Sequence, residues 1–291
     1  MTPELAGAYA YCERLAREHY ENFPVASRLL PSRMRPHIAA VYAFARLADD
    51  MADEGTRPAE DRLADLDAWE RRLEAAVDGD PPPPGAHAEV FVALRETMHV
   101  CRLPARLFHD LLSAFRQDVT TTRYQTWEEV LDYCRRSANP VGRLVLRVAG
   151  HEDGSLDRAS DAVCTALQLA NFWQDLAIDW RKGRLYVPAS IWQAAGAREA
   201  DLDTGVLTPA WRSALADVTI RTRALFAAGR PVCDAVRGRL RYELRATWLG
   251  GTTILDKLEA ADYDAFARRP RLTKADAPRI VWRTLWWSVG S

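Results

Sequence analysis

Nothing in this sequence of 291 residues runs apolar for the roughly 18 positions that a membrane-spanning helix needs. The five cysteines, at 12, 101, 134, 164 and 233, form no CxxC pair and no zinc spacing. Odd in number and scattered, they read as reduced core thiols, and the expected compartment is the cytoplasm. The N-terminal residues carry charge throughout and lack the apolar centre of a secretory leader. Period-two alternation of useful length is missing, and so are internal repeats. No glycine-rich strand–turn–helix signature occurs, so a bound dinucleotide is not indicated. The six histidines share no periodicity, and no Ser/His/Asp or Cys/His arrangement points to hydrolysis by a nucleophile. A net charge of −1, from 39 basic and 40 acidic residues, gives no reason to expect a nucleic-acid partner.

What is present is helical. Apolar residues make up 48% of the chain, enough for a sizeable core, and they recur at helical spacing. The expected fold is all-α, a single-domain bundle over residues 1–291 with a central cavity among its helices. Helices are predicted at about 4–20, 33–54, 60–77, 87–99 and 104–116. The next is capped by Thr126 with Glu129 three residues on, and Pro140 should kink it. A long helix after the turn at His151 should stop at Gly183, and further helices are expected over 208–228, 231–240 and 241–261. Gly250 and Gly251 should interrupt the last of these, and a short amphipathic helix closes the chain. Four consecutive prolines, Pro81 to Pro84, favour an extended linker but not a domain boundary, because each side of it holds only one of two acidic helices.

Those two helices carry the chemistry. In the later one, Gln168, Asn171, Asp175 and Asp179 fall at steps of three, four and four and form one stripe. Leu167, Leu169, Ala170, Phe172, Trp173, Leu176 and Ile178 surround it, where a solvated face would carry Lys, Arg or Glu. In the earlier one, Tyr42, Arg46, Asp49 and Asp53 repeat the pattern, with Asp50 and Glu54 on the neighbouring row. Carboxylates a turn apart in apolar helices are costly unless a cation compensates them. Oxygen donors of this kind suit hard divalent ions, and Mg2+ commonly takes one or two carboxylates together with phosphate oxygens. Facing each other across a cavity, the stripes would hold several Mg2+ ions around a diphosphate.

At these residues the chain resembles the squalene and phytoene synthase family, over roughly residues 5–270. The stretches NFPVAS from Asn22, SANPVG from Ser137 and NFWQDLAIDWRKGRLYVP from Asn171 resemble more narrowly its hydroxysqualene synthase branch, from bacterial hopanoid biosynthesis. The resemblance implies an enzyme that uses Mg2+ and no NAD(P)H, acts on a prenyl diphosphate, and has its functional neighbours in squalene and hopanoid synthesis. It implies Asp49, Asp53, Asp175 and Asp179 as metal ligands, with Asp50 and Asn171 beside them. Arg46, Gln168, Asn171 and Arg184 would line the diphosphate site. Phe23, Tyr42, Tyr133, Phe172 and Trp173 offer π faces to a carbocation, Phe44 being a further aromatic of the earlier helix; Phe23 and Tyr42 lead because the resemblance points there.

Departures from the wider family sharpen the expectation. Gln174 stands where an Arg is usual, Ile178 where a Glu is usual, and Asn22 and Asn139 precede Phe23 and Pro140. These favour conversion of presqualene diphosphate and water to hydroxysqualene. Rival readings are a condensing enzyme making presqualene diphosphate or phytoene, and a helical adaptor without catalysis. Asn139 and Gln174 are candidates for positioning the quenching water. Trp282, Leu285, Trp286 and Trp287 could seat the last helix peripherally on a bilayer, or pack it on its own domain.

Overall fold

The computed structural model describes residues 2–18, 30–53, 57–81 and 83–287. It is 75% helical, and no strand occurs among the described residues. The chain divides into two compact units, Met1–Thr120 with Pro140–Asp157, and Thr121–Asn139 with Arg158–Ser291. The proline run lies inside the first.

The first unit is built on α1 (Pro3–Glu18), α2 (Arg35–Asp53), α3 (Ala59–Asp78), α4 (Ala88–Cys101) and α5 (Ala105–Thr120). α2 packs on the other four, because Ile38, Val41, Phe44, Ala48 and Ala52 place an apolar stripe along it. Phe44 is fully buried and meets Phe91 and Phe108 edge-on at 6.1 and 5.3 Å, with Trp69 at 5.8 Å. That geometry makes Phe44 a core residue, one of the apolar positions of this helix. Cys12 is buried here, and desolvation pushes its thiol up to about 12, so it is unreactive at neutral pH. All five cysteines are free, as their spacing implied.

In the same unit, α7 (Asn139–Val148) is joined to the start of α8 (Gly154–Arg181) by Arg147, which donates to both oxygens of Asp157. Asp153 caps that start, accepting from the backbone N–H groups of Ser155 and Leu156 at 2.6 and 3.1 Å.

The second unit holds α6 (Trp127–Ser137), most of α8, α9 (Ala189–Ala194), α10 (Pro209–Gly229), α11 (Val232–Ala235), α12 (Arg239–Ala260) and α13 (Ala277–Leu285). Thr126 caps α6 by accepting from Glu129 N–H at 3.2 Å, and the Glu129 carboxylate reaches back to Gln125 N–H. Pro140 does more than kink the helix it was expected to bend. α6 stops at Ser137, one residue of turn intervenes, and α7 starts at Asn139. The helix expected over 231–240 is only the four residues of α11.

α12 in turn runs unbroken through Gly250 and Gly251. A Cβ at Gly251 would lie 2.5 Å from the Phe226 ring and 2.7 Å from Leu167, so the glycine is there for close approach of helices. α8 is fastened to α10 by the fully buried Trp173, whose indole N–H donates to Thr222 Oγ1 at 2.9 Å.

Candidate active-site residues

On α2 the predicted stripe forms within a single helix. Arg46 Nη2 lies 2.6 Å from Asp50 Oδ1 and Nη1 lies 3.8 Å from Asp49 Oδ2, contacts allowed by the three- and four-residue spacing. Burial works to lower the Arg46 pKa, but Asp50 and Asp49 outweigh it and hold the group above its ordinary value. Asp53 is exposed at the end of the helix. Burial, opposed by Arg46 and reinforced by Asp50 and Asp49, raises the Tyr42 pKa. At neutral pH its ring therefore ends in a hydroxyl and not in a phenolate that could attack a cation. Phe23 lies outside the described residues, as do Asn22 and Glu54.

α8 displays the second stripe as read from the spacing. Gln168, Asn171, Asp175 and Asp179 are all half-buried, while Leu169, Ala170, Phe172, Trp173, Leu176 and Ala177 between them are buried. Asn171 Nδ2 donates to Asp175 Oδ2 at 3.0 Å. The cation that this stripe needs comes from a residue the sequence reading passed over. Arg269 Nε donates to Asp175 Oδ1, and Arg269 Nη2 donates to Oδ2 at 3.0 Å. Gln174 Nε2 donates to the Pro270 carbonyl at 2.5 Å, so two adjacent positions of α8 hold the segment around Arg269. The side chains of Asp175 and Arg269 are only 16% and 30% exposed, which makes this a sheltered bidentate pair, unlike an ordinary surface ion pair. The one available signal was the charge itself, in two arginines, Arg268 and Arg269, directly before a proline.

α8 ends as expected at Gly183, whose φ of 78° suits a residue without Cβ. Arg184 N–H then donates to the Asp179 carbonyl at 2.8 Å, and Leu185 N–H to the Thr122 carbonyl at 2.9 Å. Arg123 donates to the Gly183 carbonyl at 2.5 Å and lies 5.2 Å from the Trp180 ring, fixing the turn that carries Arg184.

Behind the stripe is an aromatic cluster. Phe172 and Tyr186 stack at 3.7 Å with planes 3° apart, and Tyr133 lies 6.0 and 6.1 Å from them. Tyr124 joins at 5.7 Å from Tyr186. Tyr124 and Tyr186 were not read as site residues, because neither shares a helix with an aspartate. Trp173, by contrast, occupies a packing position with its one donor satisfied. Asn139 is buried too and accepts from Thr165 Oγ1 at 2.8 Å, and Gln174 is held by Pro270. Both candidate water-positioning groups thus already have protein partners.

Among the described residues, no group of three or more His, Cys, Asp or Glu side chains could hold a metal by itself. The donor chemistry fits Mg2+ all the same. Each helix presents carboxylates one turn apart, and a hard cation completes such a pair with phosphate oxygens and water. Asp175 is met by a guanidinium on both its oxygens, so this carboxylate is compensated by a positive charge.

Comparison with known proteins identifies the family. The family described as Squalene/phytoene synthase matches residues 16–276. A protein named hydroxysqualene synthase from Rhodopseudomonas palustris is 38% identical over 83% of this chain and 80% of its own length. One of the same name from Zymomonas mobilis is 41% identical over 70% of this chain and 67% of its own. The crystal structure of squalene synthase HpnC from Alicyclobacillus acidocaldarius is 41% identical, covering 91% of this chain and 97% of that one, at a TM-score of 0.84.

Proposed function

The chain belongs to the squalene/phytoene synthase family, and from that premise we propose that it converts presqualene diphosphate and water to hydroxysqualene and diphosphate with Mg2+. The observation that carries the reading is the α8 stripe, with Asp175 drawing a cation onto both oxygens beside Asn171. An adaptor would gain nothing from sheltering such charges.

The reaction breaks the bond between carbon and the diphosphate oxygen, and the electron pair leaves with the oxygen. Mg2+, when bound, supplies Lewis-acid neutralisation of the negative charge growing on the leaving group. Asp49, Asp53, Asp175 and Asp179 would hold it, with Asp50 and Asn171 beside them. Arg46, kept charged by Asp50 and Asp49, would bind diphosphate with Gln168 and Arg184. The cyclopropylcarbinyl cation left behind rearranges, and π faces such as those of Tyr133, Phe172 and Tyr186 would stabilise it without adding to it. Tyr42, its hydroxyl kept protonated, would serve in the same way. Water then adds to carbon and loses a proton. The carbon skeleton is neither oxidised nor reduced in that step, so no nicotinamide is consumed.

The names of the relatives differ on this point, since two specify the hydroxylated product and one squalene. The two relatives named hydroxysqualene synthase support water over hydride. The test is a product assay by mass spectrometry with Mg2+, 18O-labelled water and no nicotinamide, given presqualene diphosphate or farnesyl diphosphate in separate tubes. Labelled hydroxysqualene from presqualene diphosphate alone is expected. Presqualene diphosphate accumulating from farnesyl diphosphate would make this a condensing enzyme instead.

A further inference from the structure

The large apolar residues at the C-terminal end divide between two sides of α13 and the two residues that follow it. Trp287 points inward, edge-on to Trp248 at 5.4 Å and within 4.9 and 5.2 Å of the Arg230 and Arg245 guanidinium groups. With Ile280 and the buried Thr284 it forms the side of the helix that rests on α12. Val281, Trp282, Leu285 and Trp286 lie on the other side, 56%, 59%, 55% and 62% exposed. Trp282 and Trp286 stack with centroids 3.9 Å apart, so a flat indole surface is displayed to solvent. Packing on the chain's own helices therefore accounts for Trp287 and, among the described residues, leaves this face uncovered.

The charge around the face identifies its occupant. From Arg268 to the end of the chain there are six basic residues, Arg268, Arg269, Arg271, Lys274, Arg279 and Arg283, against the single acid Asp276, and of the six Arg269 is taken up by Asp175. Asp276 is neutralised by Lys257 Nζ at 2.8 Å. Arg279 is 61% exposed and pairs loosely with Asp256, at 3.7 Å. A short helix with Trp and Leu on one side and arginines beside them matches the boundary of an anionic bilayer. Indole rings settle at headgroup depth there, and Arg side chains reach back to lipid phosphate. A second copy of the chain fits less well. An isologous contact would bring Arg279 and Arg283 toward their own copies, and four side chains fall short of the ~800 Å2 that each partner buries in a standard interface.

We propose that the Val281, Trp282, Leu285 and Trp286 face of α13 is a docking surface for anionic lipid bilayers, seated by indole insertion and held by Arg279 and Arg283. No helix among the described residues is long and apolar enough to cross a membrane. The surface carries this inference whichever prenyl diphosphate the enzyme consumes. Its failure would show on vesicles, whereas failure of the proposed reaction would show in the product assay.

The experiment is sedimentation of the full chain with phosphatidylcholine vesicles, with and without phosphatidylglycerol, at low and high salt. The unaltered protein should partition onto the anionic vesicles and be released by salt. Trp282→Ala with Trp286→Ala should lower that partition at least about tenfold, and Arg279→Glu with Arg283→Glu should lower it by a similar factor on anionic vesicles alone. All four positions are exposed or half-buried, and unchanged circular dichroism would show the variants folded. Protein left in the supernatant with every vesicle, or tryptophan variants that bind like the parent, would overturn the proposal. Light scattering that finds a dimer, converted to monomer by the tryptophan changes, would assign the face to a second copy and overturn it equally.

Discussion

On α2 the acid stripe carries its own cation: Arg46 reaches Asp50 and Asp49 four and three residues along the same helix. On α8 the cation is imported, from Arg269, 94 residues further along the chain. The first arrangement exists as soon as the helix forms, and its carboxylates are compensated by a group expected to bind diphosphate as well. The second exists only when the segment around Arg269 has folded back onto α8. Both oxygens of Asp175 then accept from a guanidinium, so a metal at Asp175 would share that carboxylate with Arg269 or displace it. At Asp49 the guanidinium contact is already long, because the short one goes to Asp50.

The sharpest way to break this comparison is to remove one charge from each stripe. If both aspartate pairs bind Mg2+, Asp175→Asn and Asp49→Asn should each lower turnover at least about a thousandfold, equivalent to about 4 kcal/mol of barrier, with unchanged helical circular dichroism. An Asp49→Asn enzyme near normal activity beside a dead Asp175→Asn one would confine the metal role to α8. Full activity in both would remove that role altogether.

The asymmetry also explains what could be read from the sequence. Features set by local spacing were legible: the stripes on α2 and α8, the Thr126 cap and the stop at Gly183. Features set by tertiary approach were not. Nothing local ties Arg269 to Asp175. Gly250 and Gly251 look like breakers because local propensity counts against them, yet α12 passes through both, since the space beside Gly251 is filled by Phe226 and Leu167. Phe44 and Trp173 share their helices with the stripes, and only side-chain packing shows them to be core. Tyr124 and Tyr186 reach the aromatic cluster from loops on either side of α6 and α8, where periodicity carries no signal.

A pair without a proposed chemical role provides the scale for the energetics. Arg147 and Asp157 are bidentate, with side chains 10% and 12% exposed, and the Asp157 hydrogen bonds raise the Arg147 pKa. Removing one partner strands a buried charge, so Asp157→Ala should lower the unfolding free energy by about 3 kcal/mol in urea titration. Asp175→Asn should cost much less, because the amide keeps one acceptor and Arg269 is nearer solvent. Equal losses would mean that Asp175 is a structural residue, as Asp157 is.

The smallest effects test the imported cation against the built-in one. Arg46 and Asp50 are an i,i+4 pair, in the less favourable order for the helix dipole, so Arg46→Ala should change stability by no more than about 0.5 kcal/mol. Arg269→Ala removes a sheltered bidentate contact between distant segments and should cost about 1–2 kcal/mol, between the surface and buried cases. The location of the change separates the two more sharply than its size. Hydrogen exchange should quicken over residues 266–276 and around Asp175 in Arg269→Ala, because that ion pair and the Gln174–Pro270 hydrogen bond fasten this stretch to α8. In Arg46→Ala any change should stay within α2. Exchange that quickens over 266–276 equally in both variants would mean that the stripes are coupled through the fold, and the distinction between local and imported charge would not hold.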